Sequence, residues 1–367
     1  MKKVLCFAAA AMAIFASCQK TEIVYNNDDP QEIALFAVNK VATKAPVVGA
    51  TFYTEDNMDV VAYLSDGDGV TPGTFFTETN FGYHQVENSV NVWKGGRYWP
   101  ISDATLNFLA VTNKGGKVEG HVENTFTTSA TEQKVVSKLA GNDDATQTDL
   151  MFAAGQGTHI ASGEYTPVSL VFHHALSWIV FNVKTTNTTG TNGTVDSSKD
   201  PKITINSITL NNVGVNGTLT INNLNYNAKQ NATGTSICNT DNLNVGTSNW
   251  SDISTTSIIV DKEDIKTTAA TSLELTGHPA NFGGEDGVLV IPGAQTSFTI
   301  NYTITHTDGT ASTFNYKHAL NTAGDSANKW EMGKKYTYNI AITLNEIKIK
   351  PEVVDWDSAS NVDVPLI

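Results

Sequence analysis

The sequence is poor in cysteine, poor in charge, and contains a single long apolar run. Its three cysteines in 367 residues are Cys6, Cys18 and Cys238. Two of them lie in or at the end of the N-terminal apolar run, so an exported, trimmed chain keeps Cys238 as its one free thiol. One thiol cannot close an intrachain disulfide, and the fold must rest on core burial, which a chain of this length can supply. Charged residues make up 16% of the chain, against about 25% in ordinary globular proteins. That scarcity excludes long Glu- and Lys-rich amphipathic helices and coiled coils. Basic residues are scarcer than acidic ones, 23 against 37, for a net charge of −14. Such a chain repels phosphate backbones, which excludes nucleic acid as a partner. With no second long apolar run, a multispan helical membrane protein is excluded too. What fills the sequence instead is Thr, Asn and Gly among short apolar stretches, the composition of an extracellular β-protein.

The N-terminus reads as an export signal. Lys2 and Lys3 precede the run Val4 to Phe15, which is too short to span a bilayer. The run ends Phe15-Ala16-Ser17-Cys18, small residues directly before a cysteine. This resembles a bacterial lipobox, in which the thiol is acylated and the cysteine becomes the first residue. Residues 1–17 are then a signal peptide and Cys18 a lipid site. Gln19 to Pro30 is polar and reads as a tether.

Beyond it the pattern is one of short strands and turns. Ile33 to Val38 is a short apolar strand, followed by Lys40 and Lys44 and a new segment from Ala45. Further strands are expected at Val60–Leu64, at Asn91–Lys94 up to Gly95-Gly96, from Arg97 to Pro100, and at Leu106–Val111. Strands at this spacing, divided by Gly and Asn, indicate a β-sandwich rather than βαβ units. One helix is expected over Thr131–Leu139, with Val135, Val136 and Leu139 on one face. A loop with Gly155, Gly157 and Gly163 is expected to carry a domain boundary, dividing the chain into 45–165 and 166–367. In the second part Thr185–Asp200 is a surface loop by composition. Phe298, Ile300, Tyr302 and Ile304 alternate with Thr299, Asn301 and Thr303, as a half-buried antiparallel strand requires. Tyr336 to Leu344 repeats the pattern.

No residue pattern supports catalysis, a metal or a cofactor. His173 and His174 are adjacent, and on a strand neighbours face opposite sides, so they cannot readily chelate one ion. One ring is expected in the core and one at the surface. Asp66-Gly67-Asp68-Gly69 reads as a hairpin turn, because the later carboxylate of a calcium loop is missing. Trp93, Trp99, Trp178, Trp250 and Trp330 are expected in the core.

Several segments together resemble the fimbrillin family, the type V pilins of Bacteroidales. They are the Cys18 motif, Tyr98-Trp99-Pro100, Asp149 to Ala153, Phe172 to Ser177, Val290-Ile291-Pro292, Trp330 to Tyr338 and Pro351 to Trp356. They cover nearly the whole chain in the family's order. The resemblance implies an all-β protein, two tandem transthyretin-like antiparallel β-sandwich domains after a lipoprotein signal peptide. It implies a structural subunit held at the outer membrane by its lipid and then cut by a trypsin-like protease. Mapped here, the cut follows Lys44, with Lys40 second, and leaves Ala45 as the new N-terminus. Residues 18–44 are then a propeptide whose first strand is removed, and the emptied groove accepts a strand from another fimbrial subunit. The product is a homopolymeric extracellular fimbrium supporting adhesion, with host or bacterial surface molecules as further ligands. The C-terminal segment offers a donor strand, since Val362, Val364 and Leu366 share one face; the same tail also reads as the last edge strand of its own domain. Two other roles stay open: an anchor subunit that keeps its lipid and first strand, and a monomeric surface lipoprotein that binds glycan or host protein.

Overall fold

The computed structural model describes residues 31–39, 57–64, 73–86, 90–100, 103–114, 122–127, 133–141, 147–159, 167–222, 249–262, 265–266, 271–283, 287–293, 295–320 and 329–355. The expected β-architecture is what these residues form. In the first part the strands are β1 (Glu32–Asn39), β2 (Met58–Leu64), β3 (Gly73–Val86), β4 (Val90–Tyr98) and β5 (Ala104–Lys114). They are followed by β6 (Val122–Phe126), β7 (Lys134–Leu139), β8 (Asp149–His159) and β9 (Val168–His174). Seven of these close into a barrel in the order β1-β4-β3-β2-β5-β8-β9.

The second part begins with β10 (Ser177–Thr185), β11 (Lys202–Asn222), β12 (Trp250–Val260), β13 (Ile265–Lys266), β14 (Leu273–Glu274), β15 (Ala280–Phe282) and β16 (Val288–Val290). It ends with β17 (Ser297–Thr305), β18 (Ala311–Ala319), β19 (Lys334–Ile342) and β20 (Ile347–Asp355). One sheet runs β15-β10-β19-β20 with β16 also on β10, and a larger one runs β13-β12-β11-β17-β18 with β14 on β11. The expected alternation holds on β17, where Phe298, Ile300 and Ile304 are buried and Thr299, Asn301 and Thr303 lie on the other face. The loop expected over Thr185–Asp200 begins after Thr185, the last residue of β10, and includes one 3-10 turn at Thr191–Gly193. It is drawn together by Asp200, whose carboxylate accepts the main-chain N–H of Thr189 and of Asp196, each at 2.7 Å.

Three hydrophobic cores explain why the apolar runs are where they are. Val60 and Ala62 of β2 and Leu106, Phe108 and Ala110 of β5 fill the barrel. Val61 and Tyr63, with Leu109 and Val111, point outward into a second core shared with Trp178, Val180, Leu219, Trp250 and Leu289. Strands buried on both faces need continuous apolar runs, and β2 and β5 have them. β10 does the same from the other side. Its Trp178 and Val180 enter the shared core, and its Ile179, Phe181 and Val183 enter the core of the C-terminal sandwich. All five tryptophans expected in the core are buried.

Three local expectations are corrected. Residues 134–139 are strand β7 rather than a helix, with Val135, Ser137 and Leu139 buried in alternation. The spacing of Val135 and Leu139 suits both periods, and two adjacent β-branched residues paired against β6 and β11 settle it as a strand. Gly95-Gly96 does not end a strand but forms a bulge inside β4, with Gly96 at φ +65°. Gly155 and Gly157 lie within β8, not in a loop. A Cβ on Gly155 would stand 2.5 Å from Leu170 Cδ2, and one on Gly157 2.4 Å from Val168 Cγ2. Close approach of β9 is what requires glycine there.

Strand pairing also crosses residue 165, where the sequence placed the boundary. β9 lies beyond that point yet completes the barrel on β8 and β1, while β7 lies before it and pairs with β11 of the larger C-terminal sheet.

Candidate strand-exchange groove

The segment Ile33 to Val38, singled out in the sequence, is the central part of β1. This strand is paired on both sides. It runs antiparallel to β4, with Ala34 opposite Lys94 and Leu35 opposite Trp93, and parallel to β9, from Leu35 opposite Val168 to Asn39 opposite Phe172. A parallel pair is rare here; β10 with β19 is the other among the described strands. β1 therefore closes the gap between two strands that do not pair with each other, and the barrel is complete only while β1 is present.

Side chains along β1 anchor it by alternation. Ile33, Leu35 and Ala37 are buried in the barrel core, Ala34 is buried with them, and Phe36 is 38% exposed. The walls against them are Val92, Trp93, Trp99, Val168, Leu170 and Phe172. Two buried large aliphatic side chains contribute roughly 3–6 kcal/mol before ordering costs. The N-terminal end is pinned by polar contacts. Trp99 donates its main-chain N–H to Gln31 O at 2.9 Å. Glu32 accepts the N–H of Gly96 through Oε1 at 3.1 Å and pairs through Oε2 with Lys94 Nζ at 3.2 Å. The β4 bulge supplies that exposed N–H, so the glycine pair and Glu32 work together to set the register.

Cys18, Lys40, Lys44, Ala45, Val362, Val364 and Leu366 lie outside the described residues, as do Cys238 and Asp66–Gly69. By sequence Lys40 follows directly on the last residue of β1. The Glu32 pin was not anticipated; a lone acid before an apolar strand carries no sequence signal for it. Of the histidine pair, one ring is buried as expected, but the other is half-buried rather than at the surface. His174 is buried with Nδ1 3.0 Å from Asp149 Oδ1, and His173 is half-buried against the Phe152 ring at 5.9 Å. Among the described residues no group of three His, Cys, Asp or Glu side chains could hold a metal, and no helix is long and apolar enough to cross a membrane.

The described residues form an all-β protein whose first strand closes a barrel between β4 and β9, which do not pair with each other. Residues 43–356 match the family described as fimbrillin-like. The chain belongs to the fimbrillin-like family. It is similar to the crystal structure of a fimbrial protein from Bacteroides vulgatus, at 15% identity and a TM-score of 0.52, over 88% of this chain and 99% of that one. A fimbrial assembly protein from Parabacteroides distasonis is similar at 12% identity and a TM-score of 0.43, over 89% of this chain and 99% of that one. No curated protein matches the chain.

Proposed function

We propose that this fimbrial protein is a shaft subunit that polymerises by proteolysis-triggered strand exchange. It is exported as a lipoprotein acylated at Cys18 and is held at the outer membrane until a trypsin-like protease cuts after Lys44 or Lys40. The cut leaves β1 attached only by its noncovalent contacts. Its departure bares the edges of β4 and β9 and a slot lined by Trp93, Leu170 and Phe172. Such an edge is unstable unless covered, and strand addition covers it with main-chain hydrogen bonds and alternate side chains. Val362, Val364 and Leu366 of a neighbouring subunit occupy the places of Ile33, Leu35 and Ala37. At roughly 1.5–3 kcal/mol per buried aliphatic side chain, the three give on the order of 5–9 kcal/mol before ordering costs.

The observation that carries this reading is the two-sided pairing of β1 at the N-terminal end of the fold, followed at once in sequence by a lysine. N-terminal sequencing of the protein taken from fimbriae tests it. Ala45 is expected as the first residue. An acylated Cys18 as the sole N-terminus would overturn the shaft role and indicate a lipid-retaining anchor.

A further inference from the structure

Among the described residues the C-terminal sandwich has two nine-residue edge strands, β20 and β18, that differ in one respect. On β20 the ladder to β19 is fixed by the turn, where Thr343 donates to Glu346 O at 2.9 Å. Counting along the register from there, every second pair is hydrogen-bonded, and Pro351 opposite Tyr338 falls on a non-bonded pair. Its nitrogen therefore sits on the free edge, where a proline removes a donor from the middle of the strand and blocks pairing. Lys348, Lys350 and Glu352 add charge to the same strand.

β18 has no such guard. Its ladder to β17 is fixed at both ends, by His306 donating to Thr310 O at 2.8 Å and Leu320 donating to Thr296 O at 2.9 Å. Between these the register is unbroken. The main-chain groups of Ser312, Phe314, Tyr316 and His318 thus face β17, and those of Ala311, Thr313, Asn315, Lys317 and Ala319 face outward. Five residues with one N–H and one C=O each make ten outward groups, and among the described residues no strand meets them. The strand is nine residues long, has no proline, and carries one charge, Lys317. On its inner face Phe314 is 42% exposed and stacks on Tyr302 at 5.4 Å.

We propose that β18 is a self-association edge that pairs antiparallel with β18 of a second copy about a two-fold axis at Asn315. This register is the one that uses all five outward residues, Asn315 with Asn315, Thr313 with Lys317 and Ala311 with Ala319, for ten intermolecular hydrogen bonds. It is also complementary in charge, because each Lys317 meets a threonine rather than another lysine, and like charges directly opposite would be destabilising. Asn315 already accepts from Asn301, which accepts from Asn206, at 2.8 and 2.6 Å. Pairing extends this amide row across both molecules. On the other face Phe314 lies beside Tyr316 of the second copy. One such edge buries less than a standard interface and is weak alone; repeated along a polymer, it bundles neighbouring fibres side by side. The net charge of −14 per copy opposes contact, so association strengthens with salt.

The surface is independent of β1, so the test uses the full exported chain, uncut and with β1 in place. Sedimentation velocity over a concentration series is expected to show a closed dimer, favoured by added salt. Two substitutions that lose the same Thr313–Thr303 hydroxyl contact (3.0 Å) separate the register from general destabilisation. Thr313→Glu faces Lys317 of the second copy and tightens the dimer about fivefold, whereas Thr313→Lys weakens it about fivefold. Asn315→Pro, at a nitrogen that β17 does not use, abolishes the dimer while unfolding stays cooperative. A chain that remains monomeric throughout, or a dimer indifferent to the sign of the charge at 313, overturns the proposal.

Discussion

Buried polar side chains at single positions decide much of this protein's chemistry. Tyr336 is fully buried; its hydroxyl donates to Lys329 O at 2.5 Å and accepts from Glu331 N at 2.9 Å. Burial, before any other cause, holds its phenol well above the ordinary tyrosine range. The folded chain keeps this proton where the unfolded chain, ionising near about 10, gives it up. Stability from this group is therefore complete below that pH and is lost as pH rises further. Tyr63 and Tyr302 are shifted upward by burial too, so the slope is shared. Tyr336→Phe is expected to cost about 1–2 kcal/mol at neutral pH, through the two lost hydrogen bonds, and to flatten the alkaline decline. Urea unfolding of both proteins across the alkaline range measures it; an unchanged slope would show that Tyr336 does not contribute. Lys335 shows burial acting on a cation. Its ammonium lies 3.8 Å from the centroid of the Trp178 ring, and desolvation lowers its pKa.

Among the elements, β1 is the one that the proposed cleavage would release. It contributes Ile33 and Leu35 to the barrel core but no strand depends on it for its second partner except β4 and β9. β4 keeps β3, and β9 keeps β8. A cut chain therefore retains most of its ladder while exposing one slot. Leu35→Ala removes the larger part of the anchor, at about 2–5 kcal/mol. In protein cut after Lys44, the released segment is expected to leave about a hundredfold faster than from the parent chain, as followed by size-exclusion chromatography and mass spectrometry. Equal release rates would mean that Leu35 does not hold the strand. Legibility in the sequence also varied by element. β17 was readable because its apolar residues alternate at a spacing that only a strand satisfies, and β1, β2 and β5 because their apolar runs are too short for a helix. β7 was misread because Val135, Val136 and Leu139 fit a helical face as well, and only the pairing with β6 and β11 decides between them. The bulge of β4 and the strand interior at Gly155 were misread because glycine punctuates turns and permits close packing by the same lack of a Cβ.

At the scale of the whole molecule the shared core matters most. Leu150 and Phe152 from the barrel, Val135 and Leu139 from β7, and Trp178, Leu219 and Trp250 from the C-terminal part bury one another. Trp250 Nε1 donates to Ala175 O at 3.0 Å, and the Gln147 amide both donates to Leu289 O and accepts from Leu289 N, each at 2.7 Å. The two parts are thus joined by packed side chains and hydrogen bonds. For the fibre, the proposed donor tail is the part that connects one subunit to the next. Deleting residues 361–367 is expected to leave a folded protein with an unchanged unfolding midpoint that no longer elongates after proteolysis. Electron microscopy of the cut protein reads this out, and normal fibres from the truncated chain would remove the tail from the mechanism.

The order of apolar and polar residues alone determined that this is an all-β protein, that its first strand is Ile33 to Val38, and that lysines follow that strand. Those are local properties, fixed by side-chain period and by turn chemistry within a few residues. Only the tertiary structure decided that β1 lies parallel to β9, that Glu32 is pinned to the β4 bulge, that pairing crosses residue 165, and that the proline of β20 lies on an edge strand while β18 is an edge without one. Each depends on which distant segments meet, and strand register over such separations is set by the packing of facing side chains in the folded chain.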